Sequence, residues 1–377
     1  ALHLLKTTPV DQVLETLTIS PDGKIVAAGE GVTDARILLL DSETGKLLRE
    51  IPTRQYAIFG LSFSPDGSRL ASVDWDGDAR VWDVASGKQL LAFHAHDGGA
   101  SRVAFSPDGA HLITGGDDAT AKIWDSSTGA LLLTLAGHAP AQRTGSAHPG
   151  GVVEVAYTPD GKRLATGGAD GTARIWDAST GEVLQVLSAH SSEMNMGLNP
   201  DGTRLATAGQ DGFVKIWDVS PDSQAEQPLV VINHEQGARS LAFSPDGTRI
   251  AVAGQDGVAR VWDASTGVRQ LALVGHAGNI DDLVFSSDGA RLFTASADNT
   301  VKTWDLAPGR EIFTFPGHVA VYSPDGRILA CASPDQMSLR DAASGEVLAD
   351  LPISEQPFVL DATYSPCLLY TSPSPRD

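Results

Sequence analysis

Histidine, aspartate and serine or threonine, the three residue types of a hydrolase triad, all recur along this 377-residue chain. They recur too regularly for catalysis. A triad is assembled once, from one nucleophile, one base and one orienting acid, whereas these types return four times at one period. Metal chemistry has two starting points. His94-Ala95-His96 offers two imidazoles, but no third ligand stands in register for the four-coordinate set of a zinc site. Asp74-Trp75-Asp76-Gly77-Asp78 resembles the start of a calcium loop. Its glycine, however, is fourth instead of sixth, and Ala85 fills the twelfth position, where a bidentate glutamate is needed. No glycine-rich loop closes on Lys-Ser or Lys-Thr to cradle a phosphate, and there is no nucleophile elbow. The sequence therefore predicts no catalytic residue, no metal and no cofactor.

The elements that position these residues are repeats. Ser-Pro-Asp-Gly, or a one-residue variant of it, begins at Ser20, Ser64, Ser106, Thr158, Asn199, Ser244, Ser286 and Ser323, a spacing near 42 residues; a ninth copy starts at Ser365 and breaks off after Pro366. In each unit an alternating apolar run such as Val103, Phe105 enters this turn. Proline pre-sets φ, aspartate bonds its own backbone and glycine takes the positive-φ position, so the chain reverses there. A second run (Leu112–Thr114), an Asp-Gly type turn, a third run ending Ile123-Trp124-Asp125, a Ser-Ser-Thr-Gly turn and a fourth run (Leu131–Leu135) follow. Four short antiparallel strands per unit, with no helical period, give an all-β fold. A four-stranded unit repeated with a Trp-Asp signature selects the β-propeller over a sandwich or barrel.

Bulk composition narrows the function. Hydrophobic residues make up 42% of the chain, yet no apolar run approaches the roughly 18 residues of a membrane-spanning helix, so no membrane partner is expected. The formal charge of −20, from 47 acidic and 27 basic residues, repels phosphate backbones. No basic stripe offsets it, so no nucleic-acid partner is expected either. A basic residue does stand two before each of six tryptophans (Arg80, Lys122, Arg174, Lys215, Arg260, Lys302). Spread one per unit, these read as side chains that lie along the strand and pair with nearby carboxylates. Two cysteines, Cys331 and Cys367, cannot frame a disulfide scaffold. No signal-peptide core precedes the first repeat, and the expected compartment is cytoplasmic.

The strings WDVASG, WDSSTG and WDASTG (twice), together with the FSPDG turns, resemble the WD40-repeat family over residues 11–364, in wording closest to the regular arrays of bacterial members. The resemblance implies a buried relay in each blade: a histidine before strand a, a serine or threonine on strand b, an aspartate in the b–c turn and the tryptophan of strand c. By position, four units carry the full set: His96, Thr114, Asp118, Trp124; His148, Thr166, Asp170, Trp176; His190, Thr207, Asp211, Trp217; and His276, Thr294, Asp298, Trp304. Unit two keeps Ser72, Asp76 and Trp82 with Arg54 at the histidine position, and unit six keeps His234, Asp256 and Trp262 with Val252 on strand b. A closed relay satisfies buried polar groups and fixes the strands, so its role is structural.

The resemblance further implies that the d–a and b–c loops share one face, often the face that meets partners. The outward positions before the relay aspartate are Trp75, Asp117, Ala169, Gln210, Gln255 and Ala297, and the strand-a bulge positions on the same rim are Phe59, Ser101, Val153, Arg239 and Asp281. The candidate partner-binding set is Phe59, Trp75, Asp117, Gln210, Arg239, Gln255 and Asp281. Trp75 and Phe59 stand out as an aromatic pair in unit two, and Arg239 as a second anchor. The expected partners are proteins or peptides, met by a non-catalytic scaffold. The alternative is a sensing or regulatory propeller of a larger bacterial signalling protein, such as a kinase.

Units start near 11, 55, 97, 149, 191, 235, 277 and 318, which predicts eight blades with the degenerate units one and eight at the seam. Seven blades with unit eight outside the ring is the alternative. Leu40-Asp41 and Arg340-Asp341 replace Trp-Asp in those two units, and strand a of unit eight is shortened to about Val319–Tyr322. Residues 138–147 read as an insertion ahead of His148, and 219–227 as a lengthened c–d turn. The propeller is expected to span 1–366. Residues 367–377 (CLLYTSPSPRD) resemble the translation of a transposon-type sequencing adapter. Leu2–Leu5 reads like strand d of an earlier unit, so the chain is expected to be a fragment of a longer array.

Overall fold

The computed structural model describes residues 14–30, 35–55, 57–139, 151–191, 194–234, 236–307, 309–317, 319–323, 325–332 and 336–352. They form eight four-stranded antiparallel sheets, each built from consecutive strands, here lettered a to d in chain order. The third blade shows the plan: Ala100–Phe105, His111–Gly116, Thr120–Asp125 and Leu131–Ala136. Its strand a is buried along its whole length, whereas strand d alternates towards solvent at the outer edge. The second half of strand a is apolar on both sides because each side meets a neighbouring blade, Val103 and Phe105 packing towards blade two and Ala104 towards blade four.

The turns form for local reasons. The Ser106 hydroxyl donates to Asp108 Oδ1 (2.5 Å), accepts the His111 N–H (2.9 Å), and thereby closes the a–b hairpin. Gly109 sits there at φ 71°, where a side chain would be strained. At the c–d turn the Asp125 carboxylate collects the N–H groups of Ser127 and Thr128 and both hydroxyls. These bonds hold its carboxyl well below the usual range. Gly129 follows at φ 72°, and a Cβ there would lie 3.0 Å from Phe93 of the preceding blade.

Eight apolar clusters lie between the blades, one at each junction of the ring. Each mixes strands of one unit with strand a, strand b and, in all but the eighth, the c-strand tryptophan or its substitute from the next. At the seam, Leu17, Ile19, Val26 and Leu40 of blade one pack with Val321, Ala330, Met337 and Leu339 of blade eight. Blade eight also packs on blade seven through Ala320, Leu329 and Cys331. The ring therefore closes with eight blades, and the seven-bladed alternative is excluded. Strand a of blade eight is Val319–Tyr322, as the sequence indicates.

Arginines at the start of strand b stitch neighbouring blades together. Arg69 donates to the Gly109 and Ser126 carbonyls (2.7 and 3.0 Å), Arg249 to Gly289 (2.6 Å) and Arg291 to Ala342 (2.5 Å). The lengthened turn of blade five is held by Gln185 of blade four, whose amide donates to the Asp218 and Ser223 carbonyls (both 3.2 Å). Among the described residues no helix is long and apolar enough to cross a membrane.

Candidate functional site

The relays hold the residue types of a triad. In blade three, the Trp124 indole N–H donates to Thr114 Oγ1 (3.0 Å), Thr114 meets His96 Nε2 (2.7 Å), and His96 Nδ1 meets Asp118 (2.9 Å). Each partner dictates the next. The ionised carboxylate only accepts, so the imidazole proton lies on Nδ1; in the neutral ring Nε2 then accepts the threonine hydroxyl proton, while the threonine oxygen accepts the indole N–H. Blade five repeats this with Trp217, Thr207, His190 and Asp211, each link 3.0 Å. Blade seven uses Trp304, Thr294, His276 and Asp298 at 2.9, 2.7 and 3.0 Å. Burial holds His190 and His276 below their ordinary value, in keeping with the neutral ring. Burial also pushes Asp118 upward, but the bonds from His96, Thr120 and Lys122 outweigh it and leave the carboxyl well below its usual range. All four relay threonines are 0% exposed, so none can reach a substrate as a nucleophile.

Blade four corrects the sequence reading. Its relay histidine is His138, which meets Thr166 (2.7 Å) and Asp170 (3.2 Å), while Trp176 donates to Thr166 (2.8 Å). His148 lies outside the described residues, and the role expected of it is filled. The reason is spacing: His138 follows Trp124 by fourteen residues, as His96 follows Trp82, His190 follows Trp176 and His276 follows Trp262. Strand d fixes that interval, so the extra residues follow the histidine.

Blades two and six depart from the plan. In blade two, Trp82 donates to Ser72 (2.9 Å), but the turn is organised by Asp74 and not by Asp76. The Asp74 carboxylate takes the N–H groups of Asp76 and Asp78 and pairs with Arg80 (2.9 Å). Burial pushes its carboxyl up to about 6. The Arg54 side chain is outside the described residues. In blade six, Val252 has no hydroxyl, so Trp262 Nε1 is buried without a partner and His234 Nε2 turns to the Val252 carbonyl (3.3 Å). Val252→Thr is expected to raise the unfolding free energy by about 1–2 kcal/mol, by giving one buried donor an acceptor. A urea-denaturation midpoint compared with wild type checks this.

The basic residues before the tryptophans are all engaged. Lys122 reaches Asp118 (3.1 Å), Arg260 reaches Asp256 (2.6 Å), Lys302 reaches Glu311 (2.9 Å), and Arg174 and Lys215 hold the carbonyls of Gly137 and Ala189. With Arg80 on Asp74, they form struts within the blades and no continuous basic track.

The b–c turns and d–a loops do share a face. The N–H groups of Trp75, Asp117, Ala169, Gln255 and Ala297 donate to carbonyls of the loops leading into strand a, namely Ala57, Gly99, Gly151, Gly237 and Asn279. Register shifts place Phe59, Ser101, Val153, Arg239 and Asp281 at bulges in strand a, as the sequence indicates. A bulge re-aims its side chain, which suits it to a rim. Trp75 is 43% exposed, but Phe59 is buried beneath it with ring centroids 5.6 Å apart, so the aromatic pair offers one exposed ring. Arg239 pairs with Asp281 of the next blade (2.6 Å) and is no independent anchor. Gln210 and Gln255 are exposed, and Asp117 is half-buried.

The residue after each bulge faces inward, and here lies a feature that the sequence reading passed over. Arg102 of blade three pairs with Glu154 of blade four (3.2 Å), and Ser240 of blade six approaches Asp282 of blade seven (3.4 Å). Asp282 is only 6% exposed. Burial pushes its carboxyl up to about 7, with the charges of Asp281 and of Glu154, three blades away, adding to the effect. The sequence signal was a charged residue three before the strand-a aromatic, as in Arg102–Phe105, Glu154–Tyr157 and Asp282–Phe285. No group of His, Cys, Asp or Glu suited to a metal occurs among the described residues.

The family model described as "WD domain, G-beta repeat" matches residues 45–83, 87–125, 130–177, 181–218, 226–263 and 267–305. Among curated proteins, the chain is 25% identical over 183 residues to Periodic tryptophan protein 2 of Arabidopsis thaliana, covering 48% of this chain and 14% of that protein. It is 27% identical over 187 residues to Protein groucho of Drosophila melanogaster, covering 50% and 18%. WD repeat-containing protein 86 of Homo sapiens is 41% identical over 56 residues, 15% of each chain. The aligned stretches thus span less than a fifth of these relatives.

Proposed function

The chain belongs to the WD40-repeat family, and from that premise we propose that it is a non-catalytic interaction scaffold that presents the b–c face of an eight-bladed ring to protein or peptide partners. One observation carries the reading. Every triad-like constellation is locked inside a blade, while Trp75 stands exposed on a rim whose backbone is fixed by hydrogen bonds. A rigid scaffold bearing an exposed aromatic residue is what a binding surface needs, because little ordering entropy is lost on contact. The candidate contacts are Trp75, Asp117, Gln210 and Gln255, with Phe59, Arg239 and Asp281 supporting the rim.

The near-identical WDASTG and FSPDG strings favour a regular, bacterial type of array, although the relatives named above are eukaryotic. The propeller is proposed to occupy residues 1–366 and the last eleven residues to be foreign to it; residues 353–377 lie outside those described. The net charge of −20 disfavours nucleic acid, and a cytoplasmic site of action is proposed.

Affinity capture with the wild-type chain and with Trp75→Ala, matched in melting temperature, tests the scaffold. Partners recovered by wild type and depleted by the variant are the expected result. Equal recovery at equal stability would remove Trp75 from the interface, and no specific partner at all would remove the scaffold.

A further inference from the structure

In four blades the arginine at the start of strand b reaches into the next blade. Arg69, Arg163 and Arg249 donate to the carbonyl of the a–b turn glycine there: Gly109 (2.7 Å), Gly202 (3.2 Å) and Gly289 (2.6 Å). Arg69 and Arg291 donate to the carbonyl of the residue after the c-strand aspartate, Ser126 and Ala342. One side-chain type thus recurs against the same two backbone acceptors.

Blade one breaks the pattern. The residue in that position, five after the turn serine, is Ile25, which packs on the apolar cluster between blades one and two and has no donor. The corresponding acceptors in blade two are the carbonyls of Gly67 and Val84, and among the described residues neither accepts a hydrogen bond. A second donor is missing as well. The Ser42 and Ser126 hydroxyls reach the turn glycines Gly23 and Gly109 of their own blades (2.6 and 2.7 Å), whereas Val84, in the same position, has no hydroxyl.

A cavity of about 300 Å³ lies at this junction, with Ile25, Leu39 and Leu48 of blade one on one side and Gly67, Asp83 and Val84 of blade two on the other. Leu48 and its neighbours Ser68 and Ala85 are exposed, so the cavity opens to solvent, at the strand ends opposite the b–c turns. Its size is at the lower limit for pockets that hold whole small molecules, about 300–1,000 Å³, and matches a single long side chain. The charges in its wall offset each other. Arg49 donates to the Ala85 carbonyl (2.6 Å), and Asp83 nearby is held below the usual carboxylate range by its bonds from Ser86.

We propose that this cavity receives one arginine side chain from a partner protein, which docks on the face opposite the b–c turns. The stem would lie along Ile25, Leu39 and Leu48. The guanidinium would donate to the Gly67 and Val84 carbonyls, doing between two molecules what Arg69 does within one. Two acceptors on separate loops favour a planar fork of donors over the point charge of a lysine. The net charge of −20 draws basic partners towards the ring. This site is distinct from the Trp75 rim and does not depend on it.

The test is an NMR titration of the ¹⁵N-labelled full chain with acetyl-Gly-Gly-Arg-Gly-Gly-amide and its lysine and citrulline counterparts. The amides of Gly67, Ser68, Val84 and Ala85 are the reporters. A saturable shift with the arginine peptide is expected, with binding about tenfold weaker or worse for both counterparts. Ile25→Arg restores the arginine of the other blades, fills the cavity from within, and is expected to abolish the shift. Should Ile25→Arg lower the melting temperature, Leu48→Lys carries the comparison: it sets an ammonium at the exposed edge and is expected to weaken the arginine peptide by about tenfold. No saturable shift, equal binding of the lysine or citrulline peptide, or full affinity in the folded variant overturns the proposal.

Discussion

Trp124→Ala is expected to lower the unfolding free energy by about 3–5 kcal/mol, whereas Trp75→Ala changes it by about 1 kcal/mol or less. The seven tryptophans divide by environment, not by type. Trp124 fills the junction of blades two and three beside Val81, Val103 and Leu112, and its ring meets that of Phe93 at a tilt, with centroids 4.5 Å apart. Truncation leaves a cavity at that junction and takes the indole donor from Thr114. Trp75 has a large share of its surface already in water, and its ring lies against that of Phe59. Guanidinium unfolding of the two variants beside wild type reads the contrast. A stability loss for Trp75→Ala as large as that for Trp124→Ala would make Trp75 a packing residue.

Asp282→Asn is expected to flatten the pH dependence of stability. A carboxyl whose folded value is raised from 3.8 to about 7 is favoured by the fold only while protonated. Its contribution is therefore complete below about pH 4, declines as the pH rises towards 7, and levels off above that, a total on the order of 4 kcal/mol. The groups that face it are the Ser240 hydroxyl, the Asp281–Arg239 pair and, across the ring, the Arg102–Glu154 pair. Asp74 and Asp117 are also raised and slope the same way, so the wild-type minus variant difference is what isolates Asp282. Thermal unfolding at steps from pH 4 to 8 should show the variant gaining on wild type as the pH rises. A constant difference across that range would place the Asp282 titration elsewhere.

The fold was legible because its determinants are local and repeated. Ser-Pro-Asp-Gly and its one-residue variants build a turn from their own side chains, so their eight copies announce eight a–b hairpins before any tertiary contact is considered, and Trp-Asp-x-x-Thr-Gly does the same for the c–d turn in three units. The strand-a bulges followed from position as well. What the repeat could not convey is which residue wins where two compete. His138 and His148 both suit a relay, and only the fixed length from Trp124 through strand d decides for His138. Asp74 and Asp76 both border one turn, and Arg80 reaches Asp74. Which charges face one another across the ring has no linear signature. Glu154 and Asp282 lie three blades apart, and their mutual influence exists only once the ring has closed. Phe59 and Trp75 share a blade, yet only packing shows that one ring covers the other.

The His–Thr–Asp–Trp constellations are proposed to hold the blades together and to do no chemistry. Replacing Thr114, Thr166, Thr207 and Thr294 by valine, one at a time, puts that to the test. Each change removes the hydroxyl shared by an indole N–H and an imidazole nitrogen, as nature has already done at Val252. Urea unfolding of the four variants is expected to show a similar loss in every blade, about 1–3 kcal/mol each. One threonine whose replacement leaves stability untouched while the other three lose it would contradict the claim, and would mark that blade as the place to look for chemistry.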